Sequence, residues 1–198
     1  MTTFLLIRHG DNDAIGRTMA GWTPGWHLNA RGKQQAERLA QRLAGRPIRA
    51  IYTSPLERTV ETAEAIARLH GLKPQHVDAL GEIRLGEWEG RPIAELDRRE
   101  DWRKFNTFRS GTRAPGGELM IETQTRMVQQ IAWLCERHPD DTIAVVSHAD
   151  PLRALIAYFL GMPLDLVLRL EIGPASLSVL QVHGWGARVL SLNEMEGQ

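Results

Sequence analysis

Apolar positions along the chain fall into two kinds of pattern. Short unbroken runs, Phe4-Leu5-Leu6-Ile7, Ala50-Ile51-Tyr52 and Ile143-Ala144-Val145-Val146, have the length of buried strands. Between them apolar residues recur at i, i+3, i+4 and i+7. Ala36, Leu39, Ala40 and Leu43 mark one helix, capped by Asn29 and stopped by Gly45. Met120, Met127, Ile131 and Leu134 mark the inner face of another between Glu118 and Arg137, with Cys135 beside it. Ser54-Pro55-Leu56-Glu57 combines capping-box spacing with a proline at the first helical position, which puts Arg58 in a first turn. Asp150-Pro151 predicts an N-cap and first-turn proline for a helix running to about Leu160. Ser176 to Val182 and Arg188 to Leu192, around Gly184-Trp185-Gly186, predict a hairpin. Strands that alternate with helices before a late hairpin predict a three-layer α/β/α domain with a mostly parallel central sheet.

The remaining stretches are less regular. Residues 10 to 28, with five glycines and prolines and the pair Trp22 and Trp26, make a connection long enough to suggest a functional loop. Residues 75 to 91 read as irregular around Glu82, Glu87 and Glu89, Ile93 to Phe108 as one or two short helices, and Arg113 to Gly117 as a turn. With no repeat, linker or low-complexity segment, residues 1–198 read as one domain carrying a short cap-like segment around 82–117. Twenty-four basic residues balance twenty-four acidic ones, so no overall field steers the protein to nucleic acid or an anionic membrane, and any anion site must be local. A single cysteine forms no internal disulfide. No stretch has the length and flanks of a signal peptide or a membrane span, and a cytoplasmic protein is the expectation. The tryptophan content and the late hairpin suit a homodimer.

The chemistry gathers at strand ends. Of seven histidines, His9 and His148 alone close a strand-like run, where open α/β sheets place their ligands. Taking up a phosphoryl group requires a nucleophile, positive charge around the equatorial oxygens and a proton for the leaving oxygen. His9 supplies the first. Arg8 and Arg58 supply planar guanidinium groups that grip two phosphate oxygens each, and they disfavour protonation of His9. His148 is the second imidazole, and helix N-termini after Ser54 and Asp150 add backbone N–H groups. Glu82 is the candidate acid, protonating the departing alkoxide and later activating water. Taken singly, a strand-terminal histidine or a loop glutamate is ordinary, and it is their coincidence that carries the reading. His27, His70, His76, His138 and His183 fall in loops or at element ends, and Arg98-Arg99-Glu100-Asp101 reads as a solvated face.

Arg8-His9-Gly10 after a short apolar strand resembles the signature of the histidine phosphatase superfamily, the phosphoglycerate-mutase-like proteins. Further stretches match in order: Leu28-Asn-Ala-Arg-Gly32 with Gln35-Ala36, Thr53-Ser-Pro-Leu-Glu-Arg-Thr59 with Glu61-Thr62-Ala63, Glu82-Ile-Arg-Leu-Gly86 with Trp88-Glu-Gly90, Pro115-Gly-Gly-Glu118, and Val145-Val-Ser-His148. The resemblance spans residues 4 to 153. It implies a phosphohistidine on His9, phosphate contacts from Arg8, Arg58 and His148, Glu82 as proton donor, and no metal or organic cofactor. Two positions depart from the pattern. Asn12 stands where Thr is usual and is retained as a phosphate contact alongside Ala149, while Ile15 stands where the family has a phosphate-touching Asn, a loss for which Arg17 is the candidate replacement. Asp150 falls one residue too late for the acid of the family's acid-phosphatase branch, which leaves the role with Glu82.

Three functions follow. The first is hydrolysis of a small phosphorylated metabolite through a phosphohistidine. The second is a phosphoglycerate-type mutase, and the third a phospho-ligand binding module without turnover. Bisphosphate-dependent mutases of the family carry a much longer insertion between the positions of Glu82 and Pro115, so the short segment here favours hydrolysis. Substrate contacts beyond the phosphate are expected from the loop near Trp22, the segment 92–113 and Arg84.

Overall fold

The computed structural model describes residues 1–195. The elements in chain order are β1 (Thr2–Arg8), α1 (Ala30–Leu43), β2 (Ile48–Thr53), α2 (Glu57–His70), β3 (Gln75–His76), α3 (Ile93–Leu96), α4 (Glu100–Thr107), α5 (Met120–Arg137), β4 (Thr142–Ser147), α6 (Ala149–Leu160), β5 (Leu177–His183) and β6 (Gly186–Glu194). Short 3₁₀ turns lie at Asp78–Leu80, Gly86–Trp88 and Leu164–Arg169. The six strands form one sheet in the order β3-β2-β4-β1-β5-β6, parallel from β3 to β1, with β5 antiparallel to β1 and to β6. Among the described residues no helix is long and apolar enough to cross a membrane.

The unbroken apolar runs are explained by cover on both faces. Leu5 and Ile7 face α1 and α2, meeting Ala36, Leu39, Leu43, Ala63 and Ile66. Phe4 and Leu6 point the other way, into Met127, Ile131 and Leu134 of α5 and Leu152 and Leu155 of α6. A third cluster joins Ile83, Leu85, Trp88, Leu96, Trp102 and Phe105 to the side of α6 through Ala154 and Ala157.

This layering opens a crevice. β1 and β4 are neighbours in register, Arg8 beside Ser147, so both strands end level. The helix after β1 packs on one face of the sheet and the helix after β4 on the other. Chains that leave adjacent strand ends in opposite directions leave a gap above those ends, and His9 and His148 stand there.

Two glycines set how closely the first loop approaches α1. A Cβ at Gly32 would lie 1.9 Å from the Asp11 carbonyl oxygen, and one at Gly10 2.6 Å from the Gly32 carbonyl oxygen. Backbone meets backbone there, with no flexible side chain to yield. Gly32→Ala is therefore expected to destabilise the fold by roughly 1–3 kcal/mol, read as a lower urea midpoint at unchanged slope; an unchanged midpoint would show that the loop can retreat freely.

Two boundaries differ from the sequence reading. α2 begins at Glu57, with extended Leu56 before it and no side-chain cap, so Pro55 precedes the helix and the capping box does not form. The Glu57 carboxylate accepts the Gly25 N–H instead, and the Ser54 hydroxyl lies 2.8 Å from His148 Nε2. α6 starts two residues earlier than expected, with His148 as its extended N-cap, so Asp150 and Pro151 lie inside the first turn. Asp150 is held by Arg109 at 2.6 Å and Arg153 at 3.1 Å rather than by backbone N–H groups.

Candidate active site

His9 follows the last residue of β1 and is 4% exposed. Its Nδ1 is 2.7 Å from the Gly10 carbonyl oxygen. A carbonyl only accepts, so the ring proton sits on Nδ1 and Nε2 carries a free lone pair. Burial first, then the charges of Arg58 and Arg8, hold the imidazole well below the usual histidine range, which keeps that lone pair available.

His148 is fully buried at the start of α6, its ring centroid 5.2 Å from that of His9 and inclined by 63°. The two rings thus share one site. Ser54 Oγ accepts from the Leu56 N–H at 3.4 Å and has its own proton to place; given to His148 Nε2 at 2.8 Å, it selects the tautomer with the ring proton on Nδ1. Nδ1 has no partner and lies 3.8 Å from a Glu82 carboxylate oxygen. Burial, Arg58 and His9 also keep His148 uncharged, well below the usual range.

The arginines come from two elements. Arg8, the end of β1, donates to the Ile172 carbonyl at 2.6 Å and leaves Nε buried without a partner. Arg58, in the first turn of α2, donates to the Gly21 carbonyl at 2.9 Å and leaves one Nη likewise. A buried donor without an acceptor costs on the order of 1–3 kcal/mol. Three such donors, on Arg8, Arg58 and His148, around one imidazole lone pair form an arrangement that suits a tetrahedral oxyanion.

Glu82 belongs to the irregular stretch after the first 3₁₀ turn. One carboxylate oxygen accepts its neighbour's N–H, from Ile83 at 2.9 Å, and the other faces His148. Burial, with the like charge of Asp150 next, pushes its pKa up to about 7, against the opposing pull of Arg58, the Ile83 N–H and Arg8. Asp150 itself goes the other way: burial raises it, but Arg109 and Arg153 together hold it below the usual carboxylate range. Two carboxyl groups in one cavity are thus driven apart, one able to carry a proton near neutrality and one ionised.

Arg8, His9, Asn12, Arg58, Glu82 and Ala149 line a cavity of about 240 Å³, and the His148 ring packs edge to face against that of His9. Asn12 is buried, and its side-chain oxygen accepts the N–H groups of Ala14 and Ile15, so its amide NH₂ is the half left to donate. Ile15 lines the same wall. Arg17 is exposed and lies outside the cavity lining. Trp22 and Trp26 pack within their own surroundings, the Trp22 indole donating to the Glu82 carbonyl and that of Trp26 to Thr23. Arg84 stacks on the Trp22 ring at 3.9 Å and does not reach the cavity.

The far wall was not singled out in sequence. Trp102, Phe105, Asn106 and Arg109, from α4 and just after it, close the cavity with Asp150 and Arg153. Only their place within 92–113 pointed there; no local pattern distinguishes a cavity-lining arginine from those on the solvated face next to it. The other five histidines lie outside the lining. Among the described residues no group of three or more His, Cys, Asp or Glu is placed to hold a metal ion.

The profile of the histidine phosphatase superfamily (branch 1) matches residues 4–195. Phosphoserine phosphatase 1 of Hydrogenobacter thermophilus is 32% identical over 197 residues, 98% of this chain and 92% of that protein. A Yersinia enterocolitica protein named "Probable phosphoglycerate mutase GpmB" is 35% identical over 181 residues, 90% of this chain and 84% of that protein. The solved structure of Bacillus stearothermophilus YhfR superposes with a TM-score of 0.93 at 29% identity, covering 99% of this chain and 98% of the other.

Proposed function

From the premise that the chain belongs to the histidine phosphatase superfamily, we propose that it hydrolyses a small phosphorylated metabolite through a phosphohistidine on His9. The observation that carries this reading is the Nδ1 contact of His9 with the Gly10 carbonyl, which leaves Nε2 as a neutral nucleophile beside the unpartnered donors of Arg8 and Arg58.

In the first step Nε2 attacks phosphorus in line. The bond to the leaving oxygen breaks, and Glu82 gives that oxygen its proton. Arg8, Arg58, the Nδ1–H of His148, the Asn12 amide and the Ala149 N–H at the start of α6 receive the phosphoryl oxygens. In the second step Glu82, now a carboxylate, takes a proton from water as the water attacks phosphorus, releasing inorganic phosphate and restoring neutral His9. A pKa near 7 suits a group that must be acid in one step and base in the next. The segment 82–117 serves in this reading as a short cap, its residues Trp102, Phe105 and Arg109 meeting the part of the substrate beyond phosphate. Phosphoserine, the substrate named for the Hydrogenobacter relative, is of the size and class proposed. The lone, partly buried Cys135 suits the cytoplasm, where such metabolites are found.

The direct test is release of nitrophenol from p-nitrophenyl phosphate, with and without a chelator. Release that resists the chelator is the expected result, with little interconversion of 3- and 2-phosphoglycerate after priming with a bisphosphate. Interconversion that outpaces hydrolysis would establish the mutase reading, which the Yersinia relative favours. Saturable vanadate binding with neither activity would establish a binding module.

A further inference from the structure

We infer that Arg126 on α5 is a positioning residue for the Glu82 carboxyl, an inference that rests on Glu82 being the proton donor. The backbone from Ala79 to Glu82 belongs to no strand or α-helix, yet each of its four carbonyls accepts from a side chain. Arg126 Nη1 donates to Ala79 at 2.7 Å and to Gly81 at 2.9 Å, and Nη2 donates to Glu82 at 2.9 Å. Ser147, the residue before His148, donates to Leu80 at 2.7 Å, and the Trp22 indole reaches the Glu82 carbonyl at 2.6 Å.

The guanidinium is itself fixed. Its Nε and Nη2 donate to the two carboxylate oxygens of Glu118 at 3.0 and 3.1 Å. Glu118 also accepts the Arg84 N–H at 2.9 Å, so the chain is pinned on both sides of Glu82. The Glu82 side chain has little else to hold it, since its own contacts are the Ile83 N–H and, at 3.8 Å, Nδ1 of His148. Its aim is set by its backbone. A planar fork with five donors meets three carbonyls and a carboxylate at once; a lysine ammonium in the same place reaches fewer of them. Arg126 touches neither the cavity nor the reacting atoms, and acts by keeping the carboxyl at the leaving oxygen, where a shift of about 1 Å costs on the order of 10²-fold in rate.

The test compares the full-length wild type with Arg126→Met, Arg126→Lys, Trp22→Phe, Glu82→Gln and the double variant Glu82→Gln/Arg126→Met, on p-nitrophenyl phosphate and on a simple alkyl phosphate. Arg126→Met is expected to lower kcat on the alkyl ester by on the order of 10²-fold and far less on the nitrophenyl ester, whose leaving group needs little protonation. KM should stay near the wild-type value. Arg126→Lys should recover part of the loss, and the double variant should be no slower than Glu82→Gln alone. Trp22→Phe, which removes one donor to the same carbonyl, should show a smaller loss with the same leaving-group bias, and it carries the test if Arg126→Met does not fold. Equal losses on the two esters, or an additive loss in the double variant, would reduce Arg126 to a structural brace while Glu82 kept its role. Should Glu82→Gln itself lack the leaving-group bias, the proton-donor reading falls first and this inference with it.

Discussion

Replacing His9 by alanine is expected to lower turnover of any phosphomonoester by on the order of 10⁴-fold or more, because the covalent route is lost with its nucleophile. The arginines and His148 remain in the variant, so the phosphate site persists. The same protein should still bind phosphate or vanadate, since the unpartnered donors of Arg8, Arg58 and His148 do not depend on the His9 ring. Loss of rate with retained binding is thus the expected signature. A variant that turns over at the wild-type rate would remove His9 from the chemistry, and one that loses binding as well would mean that the imidazole organises the site rather than attacks from it. His9 is packed edge to face with His148, so its removal also leaves a small void.

Glu82→Gln is the second large effect. The amide keeps the size of the side chain and an acceptor for the Ile83 N–H, but holds no transferable proton. Rate losses of about 10² to 10⁴ are expected, equivalent to about 3 to 5 kcal/mol of barrier. The loss should grow as the leaving group becomes a poorer one. The pH dependence has a definite sign. With its pKa near 7, Glu82 is protonated below neutrality, so formation of the phosphoenzyme from an alkyl ester should fall as pH rises through about 7. On the acid side, His9 is depressed well below the usual imidazole range, so its lone pair survives to lower pH than an ordinary histidine's would. In Glu82→Gln the decline above neutrality should disappear, leaving only the acid limb. Stopped-flow measurement of the first turnover at several pH values checks this, and a wild-type decline that persists in the glutamine variant would assign the limb to another group.

Much of the architecture was legible because sequence and burial speak the same language here. The runs at Phe4 to Ile7 and Ile143 to Val146 are unbroken since helices cover both sides of the sheet, and Ala36, Leu39, Ala40 and Leu43 all reach the core as their spacing requires. Histidines at the ends of two such runs become neighbours once the strands pair in parallel register. What the sequence misled on are places where a polar side chain has two possible employers. Ser54 and Asp150 each look like helix caps, and local rules can see only the backbone N–H groups a few residues ahead. In the folded chain Ser54 goes to a histidine 94 residues away and Asp150 to an arginine 41 residues away, stronger or more buried partners that no local window contains.

The far wall of the cavity was illegible for the same reason. Arg109 is 4% exposed beside Asp150, while Arg98 and Arg99, a few residues earlier, stand in solvent, and nothing in the intervening letters separates them. Arg126 is a plainer case. On a helix whose inner face is written in methionine, isoleucine and leucine, an arginine looks like part of the outer face; only the folded loop reveals three carbonyls converging on it. Arg17, close in sequence to the phosphate loop, is exposed.

The central claim is a covalent one, and rapid quenching addresses it directly. Wild-type protein mixed with a ³²P-labelled phosphomonoester and stopped in alkali within the first turnover should carry label that withstands base, is lost in acid, and maps to the peptide containing His9. Turnover without any trapped phosphoprotein under those conditions, or label that maps to a residue other than His9, would contradict it.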